Sequence, residues 1–144
     1  MSGTPFTVFD SNGVSAHGSA PEITGFSAQR PDLVGNPNSG PQSVNAWLNA
    51  SAFQRLDPVA NAGQFGTAGR NIAIGPSYAD WDFGVLKNIK VSELTSFQFR
   101  AELFNILNHA NFRLPDSDIS SPTFNQILSA RDPRQVQFAL KFLF

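Results

Sequence analysis

The chain has 144 residues, the length of about one domain, and its ten basic and eleven acidic residues give a formal net charge of −1. This balance argues against a nucleic-acid partner and a polybasic membrane patch, because both normally require an excess of lysine and arginine. The absence of cysteine excludes disulfides, thiolate metal sites and cysteine catalysis. With 14 phenylalanines, 11 glycines and 10 prolines but only 15% charged residues, the chain is rich in phenylalanine and in turns.

The N-terminal part of the chain, residues 1–75, is broken by turn residues every few positions. Residues 4–9 are predicted to form a strand. This strand opens the chain without the basic start and apolar core of a signal peptide, as expected of a segment of a longer protein. Residues 44–53 are predicted to form a short helix. Disorder is the alternative for this half, but aromatic residues such as Phe26 and Trp47 favour an ordered long loop that packs on its own side chains.

The C-terminal part, residues 76–144, shows an alternation of apolar and polar residues. The alternation recurs in three segments, residues 81–87, 97–103 and 136–144. A period of two residues predicts half-buried antiparallel strands. A tight hairpin turn is predicted at residues 90–94 and a long loop at residues 108–133. The predicted fold is therefore all-β, a single segment in which a loop-rich half precedes antiparallel strands.

The alternation has two interpretations, because a soluble sandwich buries its apolar face and a transmembrane barrel turns that face toward lipid. The charges of Arg100 and Glu102 lie on the face opposite to the phenylalanines, which suits a polar barrel lumen. The chain ends on Phe144, and apolar residues step back from it by two. These features favour the barrel.

Several stretches carry a family resemblance. They are GRNI and GP within 69–76, WDF and KN within 81–88, FQFRAELFNILNHANF at 97–112, SARDPRQVQFALKF at 129–142, SGTPFTV at 2–8 and RPDLVG at 30–35. These stretches resemble the last strands of TonB-dependent outer-membrane receptors. They are most similar to the Oar-like subgroup, which has an N-terminal carboxypeptidase-regulatory-like domain. The resemblance implies a barrel of about 22 strands with a plug, which takes up large or scarce ligands with energy relayed by TonB.

The chain departs from this family by what it lacks, since it has no recognisable signal peptide, plug or TonB box and at most about six strands. The smallest membrane-spanning barrels have about eight strands, so we expect a non-enzymatic, C-terminal segment of such a barrel. The resemblance implies that its terminal strand closes the barrel and is the signal read by the barrel-assembly machinery. The residues assigned to this signal are Val136, Phe138, Leu140, Phe142 and Phe144. The implied partners are that machinery, the remaining strands of the parent receptor, and lipid or detergent.

Self-assembly is the second functional hypothesis. The open edges of an isolated group of strands pair readily with another copy, and exposed apolar faces drive association. We therefore expect the isolated chain to form a homo-oligomer or filament, and a structural protein built in this way is the alternative to a receptor segment.

A small serine hydrolase is the third hypothesis. Gly75 and Ser77 half-match the G-x-S-x-G motif, and a triad of Ser77 with His109 and either Asp80 or Asp82 is conceivable. The motif needs a strand, a strained turn and a helix, whereas a strand pattern follows here, so no catalytic residue is assigned. The segment that contains His17 is interpreted as a turn.

A cation site is the remaining candidate. Asp116 and Asp118 follow His109 closely, but a calcium loop would require more carboxylates and a glycine at set spacing. A solvated loop is the favoured interpretation, so neither a metal nor a cofactor is predicted.

Overall fold

A computed structural model describes residues 3–11, 29–57, 59–61 and 64–144. These residues form seven strands and two short 3-10 helices. The strands are β1 (Pro5–Phe6), β2 (Asp32–Leu33), β3 (Phe53–Gln54), β4 (Ala73–Ile74), β5 (Phe83–Lys90), β6 (Ser96–Phe104) and β7 (Gln135–Leu143). The 3-10 helices are Pro37–Ser39 and Ala50–Ala52. All three sheets are antiparallel, so the predicted all-β, antiparallel class is confirmed.

The chain divides into two compact units. Tyr78–Asn111 and Ala130–Phe144 make up the strand unit, and Ser2–Ser77 and Phe112–Ser129 make up the loop unit. No helix among the described residues is long and apolar enough to cross a lipid bilayer. The predicted turn that contains His17 and the predicted anchor Phe26 lie outside the described residues.

The strand unit is a three-stranded meander in which β6 pairs with β5 on one side and with β7 on the other. Five residues, 91–95, join β5 to β6, and the Thr95 carbonyl accepts hydrogen bonds from the backbone N–H groups of Val91 and Ser92. The predicted hairpin is thus confirmed, with its turn displaced by one residue. The predicted long loop before the last strand is confirmed as well.

The first long strand begins later than predicted. Trp81 and Asp82 precede β5, because their polar groups bond the chain beyond β6 instead of a sheet ladder. The Trp81 carbonyl accepts the backbone N–H of Ile106 at 2.8 Å, and the Asp82 carboxylate accepts that of Asn105 at 3.0 Å.

The loop unit has a small core between two-stranded ladders, in which β1 pairs with β4 and β2 with β3. Its fully packed members are Phe6, Val8, Leu48, Ala52, Phe53 and Ala73. Trp47, Ile72, Ile119 and Phe124 cover this core. In the described part of the N-terminal half Phe53 belongs to this core and Trp47 packs against it, but Ile119 and Phe124 from residues 112–129 help to cover it, and Phe65 is 69% exposed.

The predicted helix at residues 44–53 is wrong. A bridge between Ser43 and Ala46 and the 3-10 helix Ala50–Ala52 occupy this segment. The backbone N–H groups of Trp47 and Leu48 donate to the side chain of Asn125 instead of to a carbonyl four residues earlier, so no α-helical ladder forms. The apolar residues of the segment are buried as expected, but in irregular backbone.

Candidate membrane-facing sheet and terminal strand

The register of the meander sorts its side chains into two faces, because residues directly opposite on antiparallel strands point to the same side. One face is apolar at every position except Lys87, and we call it the apolar face. Its members are Phe83, Val85, Lys87, Ile89, Phe97, Phe99, Ala101, Leu103, Val136, Phe138, Leu140 and Phe142. Phe138 and Leu140 are 68% and 69% exposed. A face of this composition needs an apolar environment around it.

Aromatic rings cluster on the part of the apolar face next to the 91–95 turn. The ring centroids of Phe97 and Phe142 are 4.8 Å apart, and those of Phe142 and Phe144 are 5.6 Å apart. Nearer to the middle of the sheet, Phe99 stacks on Phe138 at 6.3 Å. Aromatic residues concentrate where a transmembrane barrel leaves the bilayer, so the cluster marks one boundary of an apolar band.

The opposite face, which we call the polar face, carries amides and charges. Gln98 donates a hydrogen bond to Asn88 across the β5–β6 ladder at 3.0 Å. The guanidinium of Arg100 lies 3.5 Å from the carboxylate of Glu102 on the same strand. Lys141 lies opposite Gln98 on this face. A face on which amides bond one another and opposite charges pair suits a water-filled or plugged barrel lumen.

The long strands have the dimensions of barrel strands. β5 has eight residues, and β6 and β7 have nine residues each. At about 3.4 Å per residue and a tilt of about 40°, nine residues rise roughly 23 Å, close to the apolar band of about 25 Å in outer-membrane barrels. The short turn 91–95 contrasts with the long connection between β6 and β7, as in barrels with short turns on one side of the membrane and longer loops on the other.

Four of the five residues assigned to the assembly signal lie on the apolar face. Val136, Phe138, Leu140 and Phe142 lie in β7, and Phe144 follows with 95% exposure. One edge of β7 pairs with β6, and among the described residues no strand pairs with its other edge. This geometry places a row of aliphatic and aromatic side chains beside backbone groups of β7 that no described strand pairs with. The role of these residues as a signal remains a prediction.

Asparagines hold the end of the sheet opposite to the 91–95 turn. Asn105 and Asn108 have φ angles of 49° and 50°, a left-handed conformation that asparagine tolerates better than most residues. The Asn105 side chain accepts the N–H of His109 and donates to its carbonyl, both at 3.0 Å. Asn111 bonds both backbone groups of Ala79. These asparagines thus hold the turn that follows β6.

A small charged network lies at this same end of the strand unit. The Tyr78 hydroxyl donates to the Asp80 carboxylate at 2.7 Å, which raises the pKa of Tyr78. The Arg131 guanidinium lies 4.9 Å from the centre of the Tyr78 ring, a cation–π contact. Asp80 therefore has a structural role as the hydrogen-bond acceptor of Tyr78.

Three of the four residues considered for a hydrolase triad have other partners. Ser77 is exposed in the loop unit, whereas His109, Asp80 and Asp82 belong to the strand unit. The Nδ1 atom of His109 lies 3.1 Å from the amide oxygen of Asn111. Asp80 accepts from Tyr78 and Asp82 from the backbone of Asn105, so each carboxylate supports a local turn.

The carboxylates considered for a cation site cap backbone in the loop unit. Asp118 accepts the backbone N–H groups of Ser11 and Ser120 and the Ser120 hydroxyl at 2.7–3.1 Å. Burial raises the pKa of Asp118, but the hydrogen bonds from Ser11 and Ser120 outweigh burial and lower it to about 2. Asp116 accepts the Thr123 hydroxyl and the Asp118 N–H. Within the described ranges no three histidine, cysteine or acidic side chains group around a possible metal position.

Sequence reasoning missed two polar contacts that hold the loop unit. Asn125 is 5% exposed, accepts from Trp47 and Leu48 and donates to the Leu48 carbonyl at 2.8 Å. Asp10 is 3% exposed and receives two hydrogen bonds from the Arg55 guanidinium, at 2.7 and 3.0 Å. Their partners are 77 and 45 residues apart in sequence, so no local pattern signals them.

The meander, its two unlike faces and its strand lengths together define a piece of transmembrane β-barrel wall. A family model described as an outer membrane beta barrel domain matches residues 1–137, and the chain belongs to this family. Membership indicates the outer membrane as its location. No curated protein and no solved structure matches the chain.

Proposed function

We propose that the chain is the C-terminal barrel segment of a TonB-dependent outer-membrane transport receptor and that it has no enzymatic activity of its own. The observation that carries the proposal is the in-register meander. One of its faces is apolar except at Lys87, and the other carries the amides and charges, with Leu86, Phe104 and Leu143 as its large apolar members. The blocks at 97–112 and 129–142, which resemble such receptors, lie in or beside β6 and β7.

The remaining strands of the parent receptor complete the barrel in this proposal. The described residues supply three strands of spanning length, and the smallest membrane barrels need about eight. The free edges of β5 and β7 therefore pair with further strands, while lipid covers the apolar face.

The terminal strand acts as the signal for barrel assembly. Its row of Val136, Phe138, Leu140, Phe142 and Phe144 stands beside the edge of β7 that no described strand occupies, where a recognition partner can add a strand and contact alternate side chains. The barrel-assembly machinery is the proposed partner.

An antibody against the chain tests the receptor proposal in the organism that carries the gene. We expect the antigen in the outer-membrane fraction, within a protein longer than 144 residues, whose ligand uptake stops when the proton gradient is dissipated. Uptake that continues without the gradient would exclude TonB dependence. An antigen restricted to the soluble fraction would exclude the membrane role altogether.

Binding to purified barrel-assembly machinery tests the terminal strand. We expect Phe142→Ala and Phe144→Ala to weaken binding of the detergent-solubilised chain at least several-fold. Gln137→Ala, on the opposite face of the same strand, is the matched control and should bind as the parent chain does. Equal binding by all variants would remove the signal role.

Self-assembly is a second candidate, and the two open edges of the meander favour it. Sedimentation and negative-stain microscopy in detergent-free buffer separate the candidates. Regular filaments or rings that persist after detergent is added would support a structural protein, whereas particles that detergent disperses would support a barrel segment. Ester hydrolysis that disappears in Ser77→Ala would contradict the non-enzymatic proposal.

A further inference from the structure

Lys87 is the single charged residue on the apolar face. It lies opposite Phe99 in the β5–β6 ladder, and Val85 and Ile89 flank it on the same face of β5. Its side chain is exposed, and neither ion pair of the described residues includes it. The apolar face carries no carboxylate, so the ammonium has no counter-charge on this surface within the described part of the chain.

The depth of Lys87 determines where its charge can go. Lys87 is three residues from Lys90, where β5 ends beside the 91–95 turn. Three residues of a strand tilted by about 40° rise roughly 8 Å along the membrane normal. A lysine in lipid bends its flexible stem along apolar surface until the ammonium reaches the polar boundary. The boundary next to the turn is the nearer one, because Lys87 is three residues from Lys90 at that end of β5 and four residues from Phe83 at the other end.

We propose that Lys87 binds the phosphate of an anionic phospholipid headgroup at the boundary next to the 91–95 turn. The inference rests on the proposed orientation of the apolar face toward lipid. The ammonium provides three N–H donors, and phosphate oxygens accept charge-assisted hydrogen bonds. The neighbouring apolar side chains, Ile89 and Phe99 among them, meet the acyl chains of the same lipid. The sheet thereby gains a preference for anionic over neutral lipid although the chain as a whole has a net charge of −1.

Lys141 provides a matched control on the same sheet. It pairs with Gln98, which in turn pairs with Asn88, so it lies one residue row nearer to the turn than Lys87. Its side chain belongs to the polar face. Removing its charge changes the net charge of the chain as much as removing that of Lys87, but on the side away from lipid.

The test measures partition of the whole chain into vesicles of phosphatidylcholine, and into vesicles in which about one third of the lipid is phosphatidylglycerol. One lysine near an anionic surface corresponds to about a fivefold gain in partition. We expect Lys87→Gln to lose about fivefold of the enhancement that phosphatidylglycerol confers. Lys87→Arg and Lys141→Gln should keep that enhancement.

An unchanged enhancement in Lys87→Gln, or an equal loss in Lys141→Gln, would overturn the assignment. Partition into phosphatidylcholine alone tests the orientation on which the inference rests. If the parent chain does not bind these neutral vesicles, the proposed membrane role fails. If it binds them and only the lysine comparison fails, the headgroup site alone is wrong.

Discussion

The strand unit and the loop unit satisfy their backbone hydrogen bonds in different ways. In the strand unit two ladders of eight and nine residue pairs do so, and the side chains are left free to form two contrasting faces. In the loop unit the ladders have only two residue pairs each, and side chains such as Asn125 and Asp118 bond backbone groups instead. Substitutions on the apolar face of the strand unit should therefore change mainly the partition of the chain into membranes. Substitutions at buried positions of the loop unit should change mainly its free energy of unfolding.

The largest expected effect is on the apolar face. Leu140→Arg places a charge where the proposal puts lipid, which costs about 3 kcal/mol near the middle of an outer-membrane barrel. Partition into phosphatidylcholine vesicles should fall by more than about a hundredfold. Gln137→Arg, three residues earlier on the polar face and opposite Glu102, is the control and should partition like the parent chain. Equal losses in both variants would show that the two faces have equivalent environments.

The next effect is in the loop unit. Asn125→Ala leaves the buried N–H and carbonyl of Leu48 without their partner, and we expect a loss of about 2–3 kcal/mol in the free energy of unfolding. Urea unfolding followed by tryptophan fluorescence measures it, because Trp47 packs against the core of this unit whereas Trp81 is 69% exposed and should change little.

Two controls separate the lost hydrogen bonds from backbone strain, because Asn125 has a φ angle of 70°. Asn71 also has a positive φ angle, 56°, but is exposed, and Asn71→Ala should cost about 1 kcal/mol, the strain of a left-handed alanine without the loss of buried hydrogen bonds. Asn125→Gly removes the amide without strain and should retain most of the loss. A stable Asn125→Gly variant would show that conformation, not hydrogen bonding, is what the asparagine provides.

A smaller, pH-dependent effect is expected from Asp118. Its pKa in the folded chain is about 2, below the value of about 3.9 in unfolded chains, so its contribution is present above about pH 4 and is lost as pH falls toward 2. Solvent screening limits this contribution to about 1 kcal/mol. Urea midpoints measured between these pH values should fall less for Asp118→Asn than for the parent chain. Parallel pH profiles would assign acid sensitivity to other groups.

The smallest effect is expected from the ion pair of the polar face. The side chains of Arg100 and Glu102 are 53% and 30% exposed, and exposed pairs of this kind contribute little. Glu102→Gln should change the free energy of unfolding of the strand unit by less than about 0.5 kcal/mol, as measured by urea unfolding followed by far-UV circular dichroism. A loss comparable to that of Asn125→Ala would mean that the polar face depends on buried charge, as the loop unit does.

The accuracy of sequence-based prediction differed between the units. The alternation in residues 97–103 and 136–144 located β6 and β7 to within a residue or two, because a strand with one apolar face repeats every two residues. In residues 44–53 the apolar side chains are buried as expected, but the predicted helix is absent. The backbone of this segment bonds the side chain of Asn125 instead of forming helical hydrogen bonds, and Asn125 lies 77 residues from Leu48 in sequence.

The sequence by itself determined the all-β class, the hairpin turn and which residues within each long strand share a face, since each follows from the local sequence pattern. Only the tertiary structure decided that Asn125 and Asp10 hold the loop unit and that Lys87 is alone among apolar residues of three strands. The physical reason is the separation in sequence between the residues that interact. A strand's own pattern specifies its faces, whereas hydrogen bonds to distant segments and the register between strands depend on residues that meet only after folding.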